Sequence, residues 1–466
     1  MSMIGLELND CGIMAAGGKP AGLIELDGHS VESPGFALPD NDRLLVGKAA
    51  QQAARLNPRF FTERFWDELN TVPLVQPGLE GQNNAELAYA HLAMIWRAAK
   101  RYGPETALAV PGFFNQEQLG LLLGISRELN LPVKGFASAA IAATAQSIPE
   151  PLIFYVDIHL HRLEIVLLEQ TTRLAQTSVE TLPGKGLSHL YGLWVRTIAD
   201  EFVRTTRFDP FHQAQTEQEL YTRLPAILRD ITNRPALNIE MQAGSHLHQV
   251  NLNTELLIQK SNGIYREVCA RIEEMRCAAG RQLQPAAIEL THRACSLPGL
   301  PAAVRQLPQA RLIKLKPGAA ALGLLELQEA FTPADSSTGV AFITSRNTDT
   351  ISPLPAPEAI RNTRENQVPT HVRCGDRAYR LSEKPLIISC SADNQTVHIT
   401  NHAPKGSTVY GAIQLSREKV QLVSHSENDL FINEEKVNGQ AFAGLGQYIK
   451  LAGTTQKLHL IICIEQ

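Results

Sequence analysis

The stretch MIGLELNDCGIMAA, residues 3–16, runs as an apolar strand into a polar turn and out as a second apolar strand. The same figure returns at residues 152–170 as LIFYVDIHLHRLEIVLLEQ. Behind the first hairpin, TALAVPGFF (106–114) reads as a strand, and NQEQLGLLLGISRELN (115–130) as an amphipathic helix with Asn115 placed to cap it. LPVKGFA (131–137) is a further strand, and SAAIAATAQ (138–146) a helix whose Ala and Ser residues let backbones approach closely. Two hairpins, each followed by β-α units, predict a duplicated α/β architecture with two lobes around a cleft. Hairpins of this kind often cradle a nucleotide phosphate with glycines, yet the first turn reads Asn9-Asp10-Cys11-Gly12 and is preceded by Glu7.

Residues 185–285 carry mainly helical periods, broken by a strand pair in LNIEMQAGSHLHQVNLN (237–253). AAIELTHRACSLPGLPAAV (286–304) is a strand, a loop and a helix start, and KPGAAALGLLEL (316–327) a closing helix. Residues 329–370 are rich in Ser, Thr, Pro and Asn and read as a linker. Beyond 371 the helical periods vanish, and short strands such as QTVHITN, KVQLVSH and QYIKLAG follow at steady spacing, the pattern of a small all-β sandwich.

Of the 466 residues 44% are hydrophobic and 19% charged, as in a globular chain with sizeable cores. The net charge of −4, with no Lys/Arg-rich run, disfavours nucleic acid as a partner. The seven cysteines form no Cys-x-x-Cys pair, which suits free thiols in a reducing compartment. The sequence shows neither a signal-peptide pattern nor an apolar run of the roughly 20 residues a membrane helix needs, so a cytoplasmic protein without membrane insertion is expected.

Residues 1–328 resemble the ATPase domain of the seventy-kilodalton heat-shock chaperones, of the actin-like superfamily. The resemblance is carried in order by RLLVGKAAQQAARLNPRFFTERFWDEL (43–69), LAVPGFFNQEQ (108–118), GFASAAIAA (135–143) and PGAAALGLL (317–325). It implies an actin-like fold, and it breaks at the nucleotide motifs. Where the family has a strand Asp followed by Gly-Thr-Thr, this chain has Glu7, Asn9, Asp10 and Cys11, and the catalytic lysine position falls on Glu63. The loop Asp-x-Gly-Gly-Gly-Thr reads Asp157-Ile158-His159-Leu160-His161-Arg162, and the Gly-Gly pair of the adenosine loop reads His292-Arg293. A base-stacking Arg is matched by Arg229, while its Glu and Lys companions read Pro225 and Leu228.

Glycines let backbone N–H groups approach a phosphate, and the side chains of His159, His161 and Arg162 would fill that space. Carboxylates at Glu7, Asp10 and Glu63 would repel a triphosphate by roughly 4 kcal/mol per unit pair at about 4 Å and intermediate dielectric. Removing the lysine also removes stabilisation that phosphoryl transfer depends on. A pseudo-ATPase with no catalytic residues, cofactor or metal is therefore expected. The acids Glu7, Asp10 and Glu63 and the bases His159, His161, Arg162, His292 and Arg293 could pair across the cleft as an ionic lock, or be solvated loop residues. The His159-x-His161 pair has no third metal ligand nearby in sequence and reads as ordinary strand histidines.

Residues 371–466 resemble a forkhead-associated domain, a β-sandwich that reads phosphothreonine. In LIISCSADNQTVHIT (386–400), Ser389-Cys390 replace its Gly-Arg pair; in STVYGAI (407–413), Ser407 is kept and Tyr410 replaces His; in SENDLFINEEKV (426–437), Ser426, Asn428 and Asn433 are kept. Without the arginine a phosphate loses its charge-assisted partner unless Lys405 or Arg417 substitutes, so protein binding through these loops without phosphate is expected. The whole then reads as a non-catalytic scaffold of a bacterial-type cytoplasmic complex, with other proteins as partners of both parts. Its rivals are a divergent chaperone-like switch that binds ATP through Asp157, Gly184 and Arg229, and an actin-like protein that acts by assembly.

Overall fold

The structure is a computed structural model describing residues 3–41, 43–231, 234–282, 284–331, 340–347, 352–353, 369–374, 377–391, 396–416, 419–425, 429–432, 435–443, 447–454 and 457–461. It is a mixed α/β protein with helix and strand each taking about a third of the chain. Two compact units divide it, residues 1–354 and 355–466.

In the first unit both hairpins form and each seeds a sheet. Met3–Glu7 pairs antiparallel with Ile13–Gly17 and parallel with Glu105–Val110, which pairs parallel with Val133–Ser138. Leu152–Ile158 pairs antiparallel with Arg162–Gln170 and parallel with Ala286–Leu290, which pairs parallel with Ala310–Lys314. The two sheets thus share one pairing scheme. Met3–Glu7 and Leu152–Ile158 are buried at every position, the near-continuous apolar pattern of strands covered on both faces.

Helix Gln116–Glu128 starts at Asn115, whose side chain accepts the Gln118 amide while Gln118 returns the bond to the Asn115 amide. The closing helix Ala319–Glu326 packs on the short helix Ala139–Ala143. A Cβ on Gly323 would overlap the Ala142 carbonyl, so this crossing depends on the missing side chain. Each sheet carries its own apolar cluster. A third, including Ala107, Ala137, Ile141, Tyr155 and Leu324, draws on strands and helices of both halves.

Three short strands fall within the stretch expected as linker from residue 329. Ala341–Ile343 adds a parallel strand to Val133–Ser138, Ser345–Asn347 an antiparallel strand to Arg173–Pro183, and Ser352–Pro353 pairs with Gln146–Ser147. These described strands belong to the first unit.

The second unit holds a six-stranded and a five-stranded antiparallel sheet around one core. In Lys419–Ser424, Val420 and Leu422 are buried while Val423 is exposed, the alternation of a strand with one covered face.

Candidate functional site

The turns of the two hairpins of the first unit meet. Asn9 Nδ2 donates to Asp157 Oδ2 at 2.8 Å and to the Ile158 carbonyl at 3.0 Å, while its Oδ1 accepts the Cys11 amide at 2.8 Å. Asp10 Oδ1 accepts the Leu160 amide at 2.7 Å and lies 3.5 Å from His159 Nδ1. Asp157 also accepts from the Thr291 hydroxyl at 2.6 Å and the Tyr155 hydroxyl at 3.2 Å. Burial works to raise the Asp157 pKa, but the charges of His159 and Arg293 and the bonds from Thr291 and Asn9 hold it below the ordinary value.

His159 is 2% exposed. Desolvation alone would discharge it, yet Asp10, with Glu164 Oε2 3.8 Å away and Asp157 nearby, pushes its pKa up to about 10. At neutral pH it is therefore an imidazolium among carboxylates. Its ring stands edge-on to Phe113 at 5.0 Å between centroids.

Thr291 begins the one-turn helix His292–Cys295 by accepting the Ala294 amide, and Arg293 projects from that turn to the opposite hairpin. Its Nη1 donates to Glu7 Oε1 at 2.8 Å, and its Nη2 donates to the Gly12 carbonyl and lies 3.1 Å from Glu32 Oε1. His292 Nε2 donates to Glu32 at 2.9 Å. Arg293 is 7% exposed; against the cost of its burial, Glu7 and Glu32 raise its pKa further, so it stays charged. Burial also opposes the charge on Glu32, and the His292 bond with the Arg293 charge outweighs it, lowering that pKa.

Further out, His161 Nε2 donates to the Glu63 carbonyl at 3.0 Å and lies 3.9 Å from its carboxylate. Arg162 Nε donates to Asp67 Oδ1 at 2.6 Å with its guanidinium 4.4 Å over the Phe113 ring. Glu164 accepts the Phe113 amide at 3.0 Å. The second turn sits on the start of helix Leu187–Thr206, where a Cβ on Gly186 would overlap the backbone of residues 160–162, and the Gly184 amide donates to the His161 carbonyl at 2.8 Å. Deeper still, the Thr144 hydroxyl lies 2.9 Å from the Ala140 carbonyl and 2.6 Å from Glu289 Oε2, and burial pushes the Glu289 pKa up to about 7. One hydroxyl hydrogen cannot serve both acceptors. A protonated Glu289 that donates to Thr144 satisfies every group.

Of the cleft residues expected from sequence, ten are therefore joined here: Glu7, Asn9, Asp10, Glu63, Asp157, His159, His161, Arg162, His292 and Arg293. Arg229, on helix Ala214–Ile231, bonds to none of them, but with Pro225 and Leu228 it lines a cavity of about 550 Å³ whose walls also include Glu63, His292 and Arg293. Partners that sequence reasoning missed are Glu32, Asp67, Glu164 and Thr291. Glu164 had a signal, since it follows Arg162 at strand period two; Glu32 had none. Among the described residues no group of three His, Cys, Asp or Glu could hold a metal, and no helix is long and apolar enough to cross a membrane.

In the second unit three expected binding residues are corrected. Ser389 and Cys390 lie within the strand Leu386–Cys390 at 0% exposure, and Tyr410 is 5% exposed with its hydroxyl donating to the Ala452 carbonyl at 3.0 Å. They pack the core and present nothing to a ligand. Ser407 is reachable, but its hydroxyl donates to the Pro404 carbonyl at 2.7 Å. Ser426, Asn428, Asn433 and Arg417 lie outside the described residues.

No family model matches the chain, and no curated protein matches it.

Proposed function

We propose that this protein is a non-catalytic scaffold. In this reading an actin-like pseudo-ATPase of the heat-shock type, two lobes around a cleft, is joined to a forkhead-associated-like β-sandwich, and each binds other proteins of a cytoplasmic complex. The observation that carries it is Arg293, which occupies the inner end of the cleft and bonds Glu7 and the Gly12 carbonyl across it. A guanidinium stands where the resemblance expects glycine, and the opposite turn offers carboxylates where a phosphate cradle needs N–H donors. The two charges satisfy each other and hold the lobes together without nucleotide. The lock also accounts for the other pairs, since Asp10, Glu63, Asp67 and Glu32 each reach a base or amide of the opposite half.

Calorimetric titration and thermal shift of the full chain with Mg-ATP test this. Neither heat nor a shift in melting temperature is expected at millimolar nucleotide. Micromolar affinity would overturn the proposal in favour of an ATP-binding switch.

A further inference from the structure

We infer that the cavity of about 550 Å³ beside the closed turns is a binding site for a small aromatic organic acid. The inference rests on the reading that Arg293 and Glu7 fill the inner end. Given that, what remains is a pocket of ordinary ligand size, about 300–1,000 Å³ being typical, with walls chosen by two independent features.

The first is charge. Of the acids on its walls, Glu32 pairs with His292 and Arg293, while the Glu63 carboxylate lies 3.9 Å from His161 Nε2, which donates to the Glu63 carbonyl. Arg293 is neutralised in turn by Glu7. Three further cations line the cavity, Lys48, Arg55 and Arg229, and none has an ion-pair partner among the described residues. Arg55 is already held in place, its guanidinium 4.2 Å over the Tyr221 ring and 5.1 Å over Phe61. Against the single carboxylate of Glu63, these three cations leave the concavity a positive excess, which concentrates anions.

The second is the apolar and aromatic lining. Phe36, Tyr191, Tyr221, Leu228 and Leu297 give an aromatic body surfaces to stack on. Burial raises the Tyr191 pKa, so its phenol stays protonated and able to donate. A ligand with one flat ring system and one carboxylate or sulfonate meets both features, and one carrying a chain of phosphates would need the end that Arg293 occupies.

The test is a fluorescence titration of the full chain with 1-anilinonaphthalene-8-sulfonate, a flat aromatic monoanion that brightens in apolar surroundings. One probe per chain, bound saturably at micromolar concentration, is expected. Lys48→Ala with Arg229→Ala should weaken it about tenfold or more, as removing charge-assisted contacts does. Leu228→Trp, which fills the cavity, should abolish it. If Leu228→Trp fails to fold, the double alanine variant decides alone. No saturable binding, or an affinity unchanged in the double alanine variant, would overturn the inference. Adding Mg-ATP separates the two readings. Displacement of the probe at micromolar ATP would overturn the reading of the inner end while leaving the cavity a binding site, and undiminished fluorescence supports both.

Discussion

Arg293 in the first unit and Cys390 in the second stand at positions where a resemblance places other residues, and they have been accommodated in opposite ways. Arg293 brought a charge to a place expected to hold glycine. It is buried, and it reaches Glu7 and Glu32, more than 250 positions away in sequence. At Cys390 the charge that the resemblance leads one to expect is absent, and the thiol-bearing side chain lies at 0% exposure at the end of the strand Leu386–Cys390. A buried charge persists only with partners, so its presence ties distant residues to one another. A buried thiol needs no such partner and constrains its neighbours only through its volume. The joined turns of the first unit are thus the more informative of the two regions, because their charged groups depend on one another.

The comparison can be broken at either end. Cys390→Arg should have the largest effect, since it puts an unpaired cation into a packed core at a cost of roughly 4 kcal/mol or more. Calorimetric melting of the full chain would show the second unit unfolding early, and a cost under about 1 kcal/mol would mean that the position opens to solvent. Arg293→Ala comes next. It strands Glu7 at a cost of about 3–5 kcal/mol, whereas Arg293→Met combined with Glu7→Leu should recover most of the loss. Urea denaturation of these two variants and of Glu7→Leu alone checks this, and additive losses would show that the pair is not coupled.

The smallest effect is on pH dependence. His159 has a pKa raised to about 10, so its contribution is full below the ordinary histidine value near 6.5 and is lost as pH rises through about 10. Stability should therefore fall between pH 7 and 9.5 in the native chain, and the slope should flatten in His159→Gln. Equal slopes in both would remove His159 from the set of charged groups holding the cleft.

Much of the first unit was legible in sequence because its signals are local. Alternating and near-continuous apolar runs marked both hairpins, and Asn115 with Gln118 marked a helix start three residues apart. The strands at 341–343 and 345–347 were not legible. Their Ser/Thr-rich stretch has little apolar period, and what makes them strands is pairing with residues 133–138 and 173–183, far away in sequence. The cleft was legible as a set of opposite charges, while their matching was not. Nothing local joins Glu32 to His292 or Asp67 to Arg162, and only the fold brings them within bonding distance. In the second unit the burial of Ser389 and Tyr410 is set by the pairing of strands 386–390 and 408–416, which a loop motif does not report.

The Thr144 hydroxyl and Glu289 belong to opposite halves of the first unit, and their contact has a consequence for the surroundings of the protein. A carboxyl group that ionises freely in the unfolded chain holds its proton up to about pH 7 once it is buried in the fold. Folding therefore draws a proton from solution anywhere between the ordinary carboxylate range and neutrality. At this position mild acidification favours the folded chain, and alkaline conditions disfavour it.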